Sequence, residues 1–397
     1  MTIFLLILGL VLFIGLVVVH EWGHFIMARR NGVEVEEFGV GFPPRAKVIT
    51  KKNGTVYTLN WLPLGGFVKL KGEHDADTEK GTYGAASLAA KVKIMTAGVV
   101  MNLVTALLLL TILAVVGLPQ LITKGNVGEA QFTVASDEKI IRQEVLINYV
   151  EPNSPASRAG LRTSDHITDI SPKAKTNEST HIRQLTDLQK VTKTLAGQDI
   201  VVDYVRNGVA AETTVSLRSA QEVDQSLKTK EPKGYIGIGL ADYQVNRYTW
   251  SAPVVAVGLT GQLTKLTLKG LGSALAGFGR MLAGIATFNT PARQVGQQQA
   301  TEQVSGPLGI FFVLQSGAHE GIVMILFIIA IISLTLAIMN VLPIPALDGG
   351  RLFVTLIYRG LKRPLTESAE DKIHGTGFAT LMVLFLLITV VDVGRFF

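Results

Sequence analysis

Residues 322–342, IVMILFIIAIISLTLAIMNVL, run without a single charged side chain. A stretch of that length matches the hydrocarbon core of a bilayer, which about 20 helical residues cross. Lipid offers no partner to a backbone N–H or C=O, so such a stretch must be a helix that satisfies itself. Three further runs have the same character: residues 3–19, 94–117 (IMTAGVVMNLVTALLLLTILAVVG) and 377–391. The first lacks the basic start and small-residue cleavage site of a signal peptide and is read as a retained span. Of the 397 residues, 48 % are hydrophobic and 17 % charged, as expected for a polytopic α-helical membrane protein with four transmembrane helices. The net charge of +6 comes with no basic tract interleaved with aromatics, so nucleic acid is not an expected partner. Basic loops against anionic membrane lipid account for it more simply. There is no cysteine, so any metal site must use histidine and carboxylate.

Basic residues set the expected orientation. None precedes the first span, whereas Arg29 and Arg30 follow it directly, and Arg45, Lys47, Lys51, Lys52, Lys69, Lys71, Lys91 and Lys93 lie before the second. Arg351, Arg359, Lys362, Arg363 and Lys372 lie between the third and fourth. Both connections should therefore be cytoplasmic, with both termini and the 118–321 segment outside.

Residues 32–72 read as strands (VEVEEFGV, RAKVIT, TVYTLNWL, FVKLKG) with a hairpin at Asn53-Gly54, a pair suited to the left-handed turn positions. A small membrane-associated β-hairpin sheet is expected there. Between 127 and 240 the chain turns polar and strand-like. EPNSPASRAGL (151–161) reads as a turn, a short helix and a glycine stop, and KGYIGIGL (233–240) as a glycine-rich strand start able to bind a peptide carboxylate. From 251 to 290 an apolar stretch is broken by Lys265, Lys269 and Arg280, which suits an amphipathic helix at the membrane surface. PARQVGQQQATEQ (291–303) reads as a flexible connector.

The chemistry centres on HEWGH. His20 and His24 are four residues apart, so a helix puts them on one face where both can bind one zinc ion, with Glu21 placed to take a proton from its water. Catalytic zinc takes three protein ligands and keeps one position open. Asp348, in MNVLPIPALDGGR (339–351), is the candidate third ligand: it follows the third span, whose end lies at the same membrane face as the HEWGH motif. Capping of the following helix is its alternative role. His319 and His374 are the other histidines considered, the first on the opposite face and the second in a polar loop. Asn102 and Asn340, inside the second and third spans, either bridge helices or hold an unwound substrate backbone. Gly65 and Gly66 either form a turn or present a strand edge to an extended peptide.

HEWGHF in the first span, FGVGFPP and LNWLPLGGFVKLKGE, the Gly98–Asn102 spacing and NVLPIPALDGGR together resemble the site-2 protease family. The four spans with an insert after the second are similar to bacterial regulator-of-sigma-E proteases, and SPASRAGL with KGYIGIGL makes that insert resemble a PDZ domain. SGPLGI (305–310) also resembles the family. The resemblance implies an intramembrane zinc metalloendopeptidase of a bacterial inner membrane with Zn2+ as cofactor, His20, His24 and Asp348 as ligands, and Glu21 as general base. Its implied substrates are single-pass transmembrane proteins, anti-sigma factors or remnant signal peptides, cut near the cytoplasmic face in regulated intramembrane proteolysis. The implied organisation is 1–126 (two spans and the β region), 127–240 (an extracytoplasmic PDZ-like α+β domain), 241–321 (membrane-surface segment and linker) and 322–397 (two spans). Val99 stands where the family often has proline, and Ser164 where glycine commonly precedes the aspartate. The competing reading is a non-catalytic zinc-containing membrane scaffold that recruits partners through its PDZ-like domain.

Overall fold

The computed structural model describes residues 2–123, 128–174, 178–206, 208–229, 232–301 and 306–396. They divide into two compact units, one made of 1–113 with 253–397 and the other of 114–252.

The first unit begins with helix α1 (Thr2–Arg30), which runs unbroken through HEWGH. It stops at Asn31-Gly32, where Gly32 is left-handed and the Val33 N–H reaches back to the Ala28 carbonyl at 2.9 Å, a glycine-terminated helix end. Strands β1 (Val35–Lys52) and β2 (Thr55–Leu70) follow. Asn53 and Gly54 between them both have positive φ (52° and 83°), the geometry that a two-residue hairpin requires. The register doubles back: Phe38 faces Val68 on one side and Tyr57 on the other, while Val48 faces Thr58. The expected strand segments therefore lie side by side. Phe38 also meets Phe25 (5.7 Å between ring centres) and Trp22 (5.8 Å) edge to face, which fastens the sheet to the HEWGH end of α1.

Helix α2 (Leu88–Val116) is the second long apolar helix. It meets α1 at close range, because a Cβ on Gly23 would lie 2.7 Å from the Ala97 carbonyl oxygen. Small residues at such a crossing let two backbones approach in lipid.

The second unit is an antiparallel sheet with short helices. It contains β3 (Leu118–Pro119), β4 (Lys139–Val150), α3 (Pro155–Arg158), β5 (His166–Pro172), β6 (Thr180–His181) and α4 (Leu185–Thr194). Strands β7 (Asp199–Arg206) and β8 (Val209–Ser216), helix α5 (Ala220–Ser226) and β9 (Ile238–Arg247) complete it. The strand order is β3-β9-β4-β5-β7-β8, with β6 on β5. Val145, Ile147, Ile167, Ile170, Ile200, Val202 and Val215 form its core, and α4 adds Leu188. The sheet extends past the expected 127–240 limits because β9 continues to Arg247 and pairs with Leu118–Pro119. SPASRAGL forms a capped helical turn, the Ser154 hydroxyl accepting from the Ser157 N–H at 3.1 Å. It is joined to KGYIGIGL at Gly237, where a Cβ would lie 2.3 Å from that of Ser154. Part of the 171–180 loop lies outside the described residues.

The rest of the first unit is helical: α6 (Ala252–Ala286), α7 (Thr290–Thr301), α8 (Pro307–Glu320), α9 (Ile322–Val341), α10 (Asp348–Gly360) and α11 (Glu367–Phe396). Among the described residues, four helices are long and apolar enough to cross a membrane: α1, α2, α9 and α11. Two expectations need correction. Residues 291–301 are not a connector but most of α7, which folds back on α6. Gly277, Gly284 and Gly296 line that contact, and a Cβ on any of them would meet backbone at 2.4–2.6 Å. His374 lies not in a loop but in α11, which begins ten residues ahead of the apolar run. Of SGPLGI, Ser305 lies outside the described residues, and Gly306 caps α8.

Candidate metal centre

His20 and His24 face α2 from the last three turns of α1, both buried. Pro343 and Pro345 cannot continue helix α9, and the chain turns there before α10 opens at Asp348. Glycine is required twice in that turn: a Cβ on Gly349 would lie 2.4 Å from the Val341 oxygen, and one on Gly350 2.0 Å from the Ile344 oxygen. The tight turn brings Asp348 to the histidines. Its Oδ2 is 3.1 Å from His20 Nε2 and 3.1 Å from His24 Nε2, and the two Nε2 atoms are 3.2 Å apart. Asp348 is thus turned away from capping α10, whose N-cap residue Leu347 offers no side-chain bond.

Three near-equal distances around one point suit a small cation. Ligands about 2.0–2.1 Å from a tetrahedral centre are separated by roughly 3.3 Å. Proton placement agrees. His24 Nδ1 is 2.8 Å from the Ile94 carbonyl oxygen, which can only accept, so Nδ1 carries the proton and the Nε2 lone pair points at the other two donors. In the neutral ring a second nitrogen and a carboxylate oxygen converge on that lone pair, the arrangement in which a bound cation holds all three. The histidines are pressed against Gly98 of α2, where a Cβ would lie 2.5 Å from His20 Cε1 and 2.5 Å from His24 Nε2.

The other residues singled out by the sequence fall in three places. Glu21 packs beside Gly66 of β2, its Cγ 3.5 Å from where a Gly66 Cβ would stand. Gly65 has φ +99° and sits against the Phe42 ring, while Gly66 pairs with Val40. Asn102 is fully buried on α2, its side-chain amide 3.2 Å from His20 Nδ1. Asn340 is apart from these; it lines a cavity of about 230 Å3 with Met95, Thr96, Val99, Gly349 and Leu352, and its Nδ2 donates to Leu336 O at 3.0 Å. His319 and His374 are not in the cluster. What the sequence reading missed is the Ile94 carbonyl, a backbone acceptor with no signature of its own.

His74 with Glu367 and Asp371 forms another group with metal-ligand spacing. His74 is raised above its usual range by its bond to Asp371, as an ordinary partly exposed ion pair would do.

The model of peptidase family M50 matches residues 8–384. A Clostridium acetobutylicum protein whose name carries the words zinc metalloprotease is 28 % identical over 394 residues, covering 99 % of this chain and 98 % of that one. Zinc metalloprotease RasP of Shouchella clausii is 26 % identical, covering 97 % and 98 %. The Enterococcus faecalis protein named "Probable protease eep" is 25 % identical, covering 96 % and 97 %. With a match across nearly its whole length, four helices fit to cross a bilayer and a donor set suited to zinc, this chain belongs to peptidase family M50, the site-2 protease family of zinc metalloproteases.

Proposed function

We propose that this protein is an intramembrane zinc metalloprotease that hydrolyses peptide bonds in the transmembrane segments of single-pass membrane proteins, anti-sigma factors or remnant signal peptides, as a step of regulated intramembrane proteolysis. The observation that carries the reading is the convergence of His20, His24 and Asp348, from helices 328 residues apart in sequence, on one point within an apolar helix pair. These three residues would hold the zinc, which supplies Lewis acidity toward a carbonyl oxygen and a lowered water pKa. Three protein donors leave a position open, as catalytic sites do, whereas a purely structural zinc normally closes with four. That favours catalysis over the scaffold reading.

Glu21 is the general base: it accepts a proton from the attacking water and returns it to the leaving amine as the C–N bond breaks. Gly66 lies beside Glu21, so β2, with Gly65 next to it in the strand, is the surface on which a locally unwound substrate strand would be held. Asn340 and its cavity would seat a substrate residue next to it. Arg29 and Arg30, in the last turn of α1, support an active site near the cytoplasmic face of the bacterial inner membrane. The same rule leaves both termini and the 114–252 unit outside. That unit, read as PDZ-like, would screen substrates by size or by their free ends.

The test is Glu21→Gln, purified in detergent beside wild type, with zinc content and cleavage of a model transmembrane substrate both measured. Wild type should hold about one zinc per chain. The variant should keep it while cleavage falls by about 10²-fold or more. Full cleavage by the variant would refute the role of Glu21, and zinc-free wild type would refute the metal centre.

A further inference from the structure

Helix α2 presents a stripe to the histidines: Ile94, Gly98 and Asn102, four residues apart and so on one face. It meets the pair on α1, His20 and His24, which has the same spacing. At the lower end the Ile94 carbonyl takes the His24 Nδ1 proton at 2.8 Å, and in the middle Gly98 gives the rings room. At the upper end Asn102 lies 3.2 Å from His20 Nδ1. The Asn102 backbone oxygen in turn accepts from the Ser333 hydroxyl at 2.8 Å, which fixes this turn of α2 against α9.

His20 Nε2 faces His24 and Asp348, so a metal-binding His20 must carry its proton on Nδ1 and needs an acceptor there. Asn102 is the group in reach. As placed, its Nδ2 faces Nδ1 while its buried Oδ1 has no partner among the described residues. Amide oxygen and nitrogen are interchangeable by shape, and their assignment follows from the bonding network. With the ring protonated at Nδ1, two donors would confront each other unless the oxygen faces the ring. As placed, the other amide atom has no partner among the described residues, so the contact with His20 decides.

We propose that Asn102 is a positioning residue that accepts the His20 Nδ1 proton, fixes that histidine's tautomer and thereby tightens zinc binding, rather than one that touches substrate. The inference rests on the zinc reading above, and its test separates the two. Zinc affinity is measured by chelator competition on full-length wild type, Asn102→Leu and Asn102→Asp in detergent. Removing such an orienting partner typically costs 10- to 100-fold in metal affinity. Asn102→Leu, similar in size but without an acceptor, should lose about that much. Asn102→Asp, which keeps an acceptor, should bind zinc at least as tightly as wild type.

An Asn102→Leu affinity equal to wild type overturns the proposal while leaving the metal centre intact; zinc-free wild type removes the metal centre itself. Should the leucine variant not fold, histidine-selective nitrogen NMR of zinc-loaded wild type gives the answer without it. A protonated, hydrogen-bonded Nδ1 on His20 is expected, and an unprotonated one overturns the assignment.

Discussion

Gly98→Ala adds one methyl group to the face of α2 that meets the histidines. Its carbon would lie 2.5 Å from His20 Cε1, 2.5 Å from His24 Nε2 and 2.7 Å from His20 Nδ1. Ordinary carbon contacts begin near 3.5 Å, so the rings or the helices must give by about 1 Å. The rings cannot swing away freely, because His24 is tied to the Ile94 carbonyl and both face Asp348. The helices cannot separate freely either, since α1 and α2 also touch at Gly23. Overpacking of this kind costs about 1–3 kcal/mol, while metal–ligand distances tolerate only about 0.2 Å. If the strain falls on the site, zinc affinity should drop roughly 5- to 150-fold, at tenfold per 1.4 kcal/mol. Chelator competition on the detergent-solubilised protein measures this. Gly15→Ala, on the same span with no atom within 4 Å of its Cβ, is the control and should bind zinc as wild type does. A Gly98→Ala protein with wild-type zinc affinity and cleavage would refute the packing argument.

Two further outcomes follow from residues away from the centre. Ser164 has φ +66°, a left-handed conformation that is strained for residues bearing a Cβ. Ser164→Gly should therefore stabilise the β4–β5 region by about 0.5–1 kcal/mol, seen as slower hydrogen exchange around Val145–Ile147; faster exchange would count against it. Lys91 is fully buried, ion-paired with Asp75 and bonded to the Gly84 carbonyl at 2.8 Å. Lys91→Met would strand a buried carboxylate, which costs about 3–5 kcal/mol. The lower end is expected because Arg359 stands 3.6 Å from the same Asp75. A thermal melt of the full chain would check it, and an unchanged midpoint would rule the pair out as a support of the fold.

What the sequence displayed, and what it hid, divides along physical lines. Four apolar runs were legible because lipid admits only self-satisfied helices, and the hairpin at Asn53-Gly54 because few residues tolerate two positive φ values in succession. His20, Glu21 and His24 announce themselves by spacing on one helix. Asp348 needed the added argument that the third span ends at the same face. The hidden parts depend on contacts between elements. Glutamine-rich 291–301 looked unstructured because its helix is supported by backbone approach to α6 at glycines rather than by an apolar stripe. The sheet of the 114–252 unit overran its polar limits because Leu118–Pro119 and the end of β9 complete it. The Ile94 carbonyl was invisible since every residue has one, and only the fold selects which faces a histidine.

The geometry also bears on why the motif needs Glu21 between its histidines. His20 and His24 share one face of α1, and that face is filled by α2 with Gly98 at its centre. Glu21 stands one residue further on, about 100° around the helix, and so meets a different neighbour, Gly66 of β2. One helix thus supports two environments: a face shut by a second helix, which suits ligands that must not move, and a face toward a strand, which suits a group that must exchange protons with an incoming water. A glycine at 66 keeps that second face narrow in side chain and rich in backbone, the condition under which an extended peptide could lie close to Glu21, the proposed base. Substituting Gly66 should on this reasoning impair cleavage more than zinc binding, the reverse of Gly98, because the two glycines serve different faces of the same helix.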